Sequence, residues 1–392
     1  MNGLLLNILE FRWPMAELRV LFIVHGLWRG GAETQLVKLV NSLPAEQFEK
    51  YIFSYRPGDD LKEDINSGEV KIFKHHRKGR LDLGVGNEIG RIIDERKIDI
   101  VHCTMRNALL FGYMGIRFSK RKPKLIAAVH STKDVNLMVS VVNLLVYRPI
   151  LKRCSRVWFV STTQADLWVR KMRFLASKAV TIHNGIDLDE FEPTHFQIDG
   201  QVLRESLGIR EDENVLCCIA GFRPVKLHSV LIQAFSRVRA EGYSCRLLLA
   251  GTGALERALR DQVSTLNLGN SVQFLGVMPD VRAVLAASDC MALVSEAETL
   301  SMAMLEAMAM EVPVITTSVG GASEAIDDGV SGILVRPRDV DQLADNIKKI
   351  LDDDERRLAI GKAARAVVVK NFNVGQMTDD SADSLLAIAA EN

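Results

Sequence analysis

Two carboxylates stand eight residues apart in the stretch Ser295-Glu-Ala-Glu298-Thr-Leu-Ser301-Met-Ala-Met-Leu-Glu306. That spacing is common, but the setting of Glu306 is not. Its neighbours at helical spacing are Met302, Ala303, Ala309 and Met310, which places it on an apolar helix face. A carboxylate there must find hydrogen-bond donors or change its protonation state, because burying an unpaired charge is costly. Either a buried arginine or lysine supplies the donors, or the hydroxyls of a bound molecule do, and a ribose would offer two. Ser301 is the expected N-cap of this helix, which leaves the N–H groups of Met302, Ala303 and Met304 at its positive end, a seat for a phosphate. Glu298, just before the helix, projects into the same space.

Three further groupings carry similar chemistry. In Ala220-Gly-Phe-Arg223-Pro-Val-Lys226 two cations three residues apart leave a strand end, where each can donate to different oxygens of a diphosphate or remain a solvated loop charge. In Val24-His-Gly-Leu-Trp-Arg-Gly30-Gly31-Ala-Glu33 a strand breaks into glycines and opens a helix, so backbone can approach a ligand with no Cβ between them. The spacing is not GxGxxG and no acid follows the next strand at the required place, so a nicotinamide enzyme is not supported. Val129-His130-Ser131 delivers a histidine to a strand end, for a ligand or for a structural bond, and His102 occupies a similar place. Val319-Gly320-Gly321-Ala322-Ser323-Glu324 and Gly251-Thr-Gly253 read equally well as tight turns.

These residues need elements to hold them. A chain of 392 residues predicts two domains. β-branched runs alternate with helical patterns throughout, the sign of parallel sheets with crossover helices. Strands are expected at 19–24, 51–54, 70–73, 100–103, 125–129, 157–160 and 180–182, then at 215–220, 246–250, 272–274, 290–294, 313–316 and 333–335. Residues 184–214, with glycines, acids and Pro193, read as a polar linker with a short helix at best. Residues 379–389 read as a last amphipathic helix. The fold class is therefore α/β, with two Rossmann-like doubly wound domains whose strand-end loops face a cleft, and closing that cleft would exclude water.

Composition narrows the class of function. Hydrophobic residues make up 48% and charged residues 25%, which excludes disordered and fibrous chains. The six cysteines form no CxxC pair and read as buried thiols of a reducing compartment, with no zinc ribbon or disulfide framework. Net charge is 0, yet up to Pro193 there are 30 basic against 21 acidic residues, and in the remainder 19 against 28. The excess peaks over 117–178, where 14 basic residues accompany only Asp134 and Asp166, so this stretch is either a solvated face or a patch for an anionic partner such as nucleic acid, a membrane surface or a phosphorylated substrate. The best apolar run, 137–150, is interrupted by Ser140, Asn143 and Arg148 and is too short to span a bilayer. The apolar segment 4–13 lacks the marks of a secretory signal, and residues 1–14 read as an appended segment ahead of Met15.

Taken together and in order, these motifs resemble the retaining glycosyltransferases of family 4, with the GT-B fold, over about residues 18–372. Gly30-Gly31-Ala-Glu33 is similar to that family's first loop, Asp99-Ile-Val-His102 to its strand end, Asn184-Gly-Ile-Asp187 to its linker entry, and Phe274-Leu-Gly276 to the loop near the nucleotide base. Glu298 with Glu306 resembles its two-glutamate motif, continued by Leu305-Glu-Ala-Met308, Pro313-Val and Gly320-Gly321. The resemblance implies that Glu306 holds the donor ribose, that Glu298 holds hydroxyls of the transferred sugar, and that Arg223 and Lys226 hold the diphosphate. Gly30 and Gly31 give close backbone approach, Gly276 lies by the base, Ser301, Met302 and Ala303 seat a phosphate, and His130 meets the sugar's far side. It further implies domains at 15–195 (acceptor side) and 196–372 (donor side), with the helix at 373–392 returning to the first.

On the same footing, the expected reaction is a metal-independent transfer, without cofactor, from a nucleotide-diphosphate sugar, UDP foremost, to a saccharide or lipid-linked saccharide of cell-surface polysaccharide assembly. The expected place is the cytoplasm, at the inner face of the membrane through the patch at 117–178, with no nucleic acid as partner. The acidic groups Asp187-Leu-Asp189 and Asp352-Asp-Asp354 read as structural. Where the family commonly has Arg, Gly and Gly, this chain has Gly221, Leu227 and Thr299, so Arg223 stands in for the usual cation. Gly221 and Thr299 keep an inactive nucleotide-sugar binder open, and the same scaffold also leaves open an epimerase or a phosphorylase.

Overall fold

The computed structural model describes residues 18–79, 82–130 and 143–391. The expectations for residues 1–14, for Ser131, and for those parts of the basic stretch and the apolar run that fall at 131–142 lie outside the described residues.

The first run of elements is β1 (Leu18–Val24), α1 (Gly31–Ser42), β2 (Phe48–Ser54), β3 (Val70–Lys74), α2 (Leu83–Glu95), β4 (Ile100–Thr104), α3 (Arg106–Phe118), β5 (Lys124–Val129), α4 (Arg148–Leu151), β6 (Arg156–Phe159), α5 (Thr162–Lys171) and β7 (Ala179–Thr181). The second is α6 (Gln197–Ser206), β8 (Asn214–Ile219), α7 (His228–Ala240), β9 (Cys245–Ala250), α8 (Glu256–Thr265), β10 (Val272–Gly276), α9 (Arg282–Ala286), β11 (Cys290–Leu293), α10 (Met302–Ala309), β12 (Val314–Thr317), α11 (Ala322–Ala325), β13 (Ile333–Val335), α12 (Val340–Leu351), α13 (Asp354–Asn371) and α14 (Val374–Ala390). Every expected strand is present, within a few residues at each end.

The strands form two parallel sheets, one of seven in the order β3-β2-β1-β4-β5-β6-β7 and one of six in the order β10-β9-β8-β11-β12-β13. Central strands of such sheets are covered on both faces and so read as continuous apolar runs. In β1 the residues Val20 to Val24 are fully buried, in register with β2 (Leu18 opposite Phe48) and with β4 (Val20 opposite Ile100). In each sheet the order reverses once, between β1 and β4 in the first and between β8 and β11 in the second, and at such a reversal the loops leaving the two strands diverge and open a crevice.

By packing, the described residues divide into two compact units, one of those within 18–128, 153–156 and 382–391, the other of those within 129–152 and 157–381. In the second, the core runs from Leu231 and Phe235 through Leu247 and Met291 to Met304 and Met308. All six cysteines are buried free thiols.

Residues 184–214 carry one short α-helix, as expected at best for that stretch, the ten-residue α6, and it is docked on its neighbours. Gly200, within that helix, makes a close contact, since a Cβ there would lie 2.6 Å from the Ala286 carbonyl carbon. Arg204 ties α6 down through the Ala287 carbonyl at 2.8 Å and the Asp289 carboxylate at 2.6 Å. The last helix begins at Val374, five residues ahead of the start that the local pattern suggests and one residue from the start that the resemblance implies. Among the described residues no helix is long and apolar enough to cross a membrane.

Candidate active site

The loops after β8 and β11 leave the reversal point of the second sheet side by side. Glu296 N–H donates to the Val225 carbonyl at 2.8 Å, which joins them. This brings Lys226 onto Glu298, and the ammonium and the carboxylate form a direct ion pair with side chains 11% and 22% exposed. A pair this sheltered is worth more than a surface one, yet both ends remain reachable. Arg223, the residue before the short turn Pro224–Lys226, is exposed and takes part in no ion pair among the described residues. That turn closes on Leu227, held left-handed at φ 42° with its side chain buried. The resembled family has glycine there, and here side-chain burial offsets the backbone strain.

Ser301 caps α10 as expected, with Oγ accepting from Met304 N–H at 3.4 Å. Beside that cap lies a narrow pocket lined by Ser295, Glu298, Ser301, Thr316 and Thr317 among others. The Ser295 hydroxyl is buried in it without a hydrogen-bond partner among the described residues. Glu306 stands half-buried on α10, between half-buried Met302 and Ala303 on one side and buried Ala309 and Met310 on the other.

Glycine turns support this loop pair from behind. Gly320, left-handed at φ 59°, packs so that any Cβ would overlap the Glu298 carbonyl, and Gly321 N–H donates to the Thr299 carbonyl at 2.5 Å. Gly251 and Gly253 back the other loop, where Phe222 N–H donates to the Thr252 carbonyl at 2.9 Å. Gly276, at φ 71° and the end of β10, differs from these because a Cβ there would enter open space.

In the first sheet Gly30 precedes α1 and Gly31 opens it. A Cβ on Gly30 would lie 2.6 Å from the Glu33 carboxylate, which is buried under the turn. Burial raises the pKa of Glu33, opposed by its own backbone N–H. His130 leaves β5 half-buried, and burial lowers its pKa to about 4, so its ring is neutral at neutral pH. The acidic groups serve the backbone: Asp187 accepts from the N–H of Asp189 at 3.0 Å, and Asp353 caps α13.

Residues 199–367 match the family described as Glycosyl transferases group 1, and residues 29–190 match Glycosyltransferase Family 4. The N-acetyl-alpha-D-glucosaminyl L-malate synthase of Bacillus anthracis is 30% identical over 300 residues, 74% of this chain and 75% of that one. The chain belongs to the family 4, group 1 glycosyltransferases. A D-inositol 3-phosphate glycosyltransferase of Kribbella flavida is 31% identical over 201 residues, 48% of this glycosyltransferase and 46% of that one. Among solved structures, Anabaena HepE in complex with UDP and glucose superposes with a TM-score of 0.83 at 22% identity, over 95% of this chain and 100% of that one, which establishes the GT-B fold.

One charged group of this glycosyltransferase does not stand out in the sequence, where it reads as part of a glycine turn. Glu324, on α11, accepts from the N–H groups of Thr162 and Thr163 at 2.8 and 2.7 Å, and His183 Nε2 lies 3.1 Å from it. The local signal was only an acid four residues after Gly320, and its partners lie over 140 positions away. Burial would raise its pKa, but hydrogen bonds from His183, Thr163 and Thr162 prevail and bring it from 4.5 to about 2. A carboxylate depressed on folding contributes stability that is complete above its unfolded pKa and lost as pH falls through the folded one. Wild-type protein should therefore lose on the order of 2 kcal/mol between about pH 5 and pH 2 that Glu324→Gln does not lose. Urea unfolding against pH measures it, and identical acid limbs in the two proteins would contradict the assignment.

Proposed function

We propose that this glycosyltransferase moves a sugar from a nucleotide-diphosphate sugar, UDP foremost, to a saccharide acceptor, with retention at the anomeric carbon. The observation that carries this reading is the Lys226–Glu298 pair at the crevice between β8 and β11, beside the capped start of α10. Lys226 and Arg223 neutralise the leaving diphosphate, and the N–H groups of Met302 and Ala303 add the helix's positive end. Glu298 holds hydroxyls of the transferred sugar, Glu306 the ribose, and neutral His130 the sugar's far side. Gly276 leaves room for the base, and Gly30 and Gly31 let backbone approach on the acceptor side. As the anomeric carbon becomes oxocarbenium-like, the departing phosphate oxygen takes the acceptor's proton on the same face, so the step needs neither a protein nucleophile nor a metal. In this reading the sheets define the domains, 15–195 for the acceptor and 196–372 for the donor, with residues 373–392 returning to the first.

Binding of a donor to the native state raises apparent stability by mass action, about 2.7 kcal/mol at a hundredfold excess over Kd. A thermal-shift series with UDP-, GDP- and ADP-sugars should give one nucleotide that raises Tm by several degrees. No shift with any of them at millimolar concentration would overturn the reading. Product analysis completes it: conversion of the donor without acceptor would indicate an epimerase, dependence on inorganic phosphate a phosphorylase.

The acceptor we propose is a lipid-linked saccharide of cell-surface polysaccharide assembly, met by a cytoplasmic enzyme at the membrane's inner face. Within 117–178 some cations have local partners, Arg121 on Asp99 and Arg156 on Glu391. Arg170, Lys171 and Arg173, at and after the end of α5, are exposed without ion-pair partners among the described residues, near half-exposed Leu167. Vesicles containing anionic lipid should bind the protein and release it with added salt. Equal binding to neutral vesicles would defeat this part.

A further inference from the structure

The first turn of α5 is attached on two sides to residues of the proposed sugar site, all within the second compact unit. Ser161 caps the helix, its Oγ accepting from Gln164 N–H at 3.2 Å, which leaves the N–H groups of Thr162 and Thr163 for Glu324. Fully buried Gln164 accepts from Val160 N–H at 3.1 Å and donates to the Val129 carbonyl at 3.0 Å. That carbonyl belongs to the peptide that leads directly into His130. One side of the turn therefore holds the backbone from which His130 projects.

The other side runs through Glu324. Its helix, α11, starts from Gly320 and Gly321, the two glycines packed against the Glu298 and Thr299 carbonyls. The segment that brings His183 to Glu324 also brings Asn184, whose Nδ2 reaches the Leu300 carbonyl at 3.5 Å. The loop of Glu298 is thus gripped at Glu298, Thr299 and Leu300 by groups that all lead back to α5 and the end of β7.

From this we infer that Glu324 and Gln164 are positioning residues, which act through the first turn of α5 to fix the spacing between His130 and Glu298. Neither touches the donor. A side chain displaced by about 1 Å from its productive place can lose much of its effect, and two hydrogen-bonded anchors on one rigid helical turn limit such displacement. The inference rests on the reading of His130 and Glu298 as sugar contacts.

The test is calorimetric titration of the full-length protein with UDP and with UDP-glucose, the ratio of the two Kd values reporting what the sugar adds. In Glu324→Gln the sugar's contribution should fall about tenfold, the size of one charged hydrogen bond, with UDP affinity kept within about twofold. In a Glu298→Gln background the same change should alter the ratio less than about twofold, because the residue it acts through is already disabled. A ratio unchanged by Glu324→Gln, or effects that multiply in the double variant, would overturn the inference and leave the site reading intact. Should Glu324→Gln not fold, His183→Gln removes one of the three partners and keeps both N–H bonds, and the same two outcomes decide. If wild-type protein binds neither probe, GDP with GDP-mannose and ADP with ADP-glucose replace them, and wild-type protein that binds none of the three pairs, or binds each sugar nucleotide no differently from its nucleotide, overturns the site reading and this inference with it.

Discussion

Lys226→Ala should lower kcat by on the order of 100 to 1000-fold, the cost of removing one fixed stabiliser of transition-state charge. The effect has two sources. Lys226 is the more sheltered of the two cations at the strand end, whereas Arg223 is exposed to water. A charge in a partly desolvated site acts on a developing phosphate charge more strongly than one in solvent. Removing it also leaves Glu298 without the cation that now fixes it, so one substitution disturbs both the leaving group and the sugar. Because the diphosphate gains charge as the glycosidic bond breaks, kcat should fall more than KM rises. Lys226→Arg keeps the charge but not the geometry, and should recover part of the loss. Steady-state kinetics with the donor found by thermal shift measures this, and normal turnover in Lys226→Ala would refute the role.

The sheets and the residues at their strand ends were legible because both depend on local pattern. A buried parallel strand must be apolar along its length and must end in residues free to turn, and Cys290–Leu293 followed by Ser295 to Ser301 displays both within a dozen positions. Pairing of Lys226 with Glu298 was not legible, since it depends on β8 and β11 being neighbours, which sequence order does not state. The bonds of Glu324 to α5 depend likewise on distant strands. Charge over 117–178 was legible only as a total, for the same reason: counting neighbours in the chain cannot see that Asp99 and Glu391 come to meet Arg121 and Arg156 and leave Arg170, Lys171 and Arg173 exposed. Gly200 reads as one of the glycines of a polar linker until a second helix is known to press against it, when its missing side chain becomes the reason the two can pack.

Gly320→Ala is expected to disable the enzyme almost as fully as loss of Lys226, although Gly320 carries no functional group. Two costs combine at this residue. Its φ of 59° is left-handed, which for alanine costs about 1 kcal/mol or more. The added methyl would also overlap the Glu298 carbonyl and lie 2.9 Å from the Thr299 carbonyl, and neither is a side chain that can swing away. The loop must shift, and it carries Glu298 with it. We expect stability to fall by roughly 2 to 4 kcal/mol and kcat by about 100-fold, the penalty of misplacing a contact by about an ångström. Gly208→Ala, just after α6 and outside the proposed site, separates the two costs, because Gly208 is equally left-handed at φ 61° but faces open space, so it should lose only about 1 kcal/mol and retain most of its turnover. Thermal midpoints and kcat measured on both variants make the comparison. A Gly320→Ala enzyme that is destabilised but turns over normally would mean that the backbone of Glu298 can move without consequence, and Glu298 would then have to be withdrawn from the sugar site.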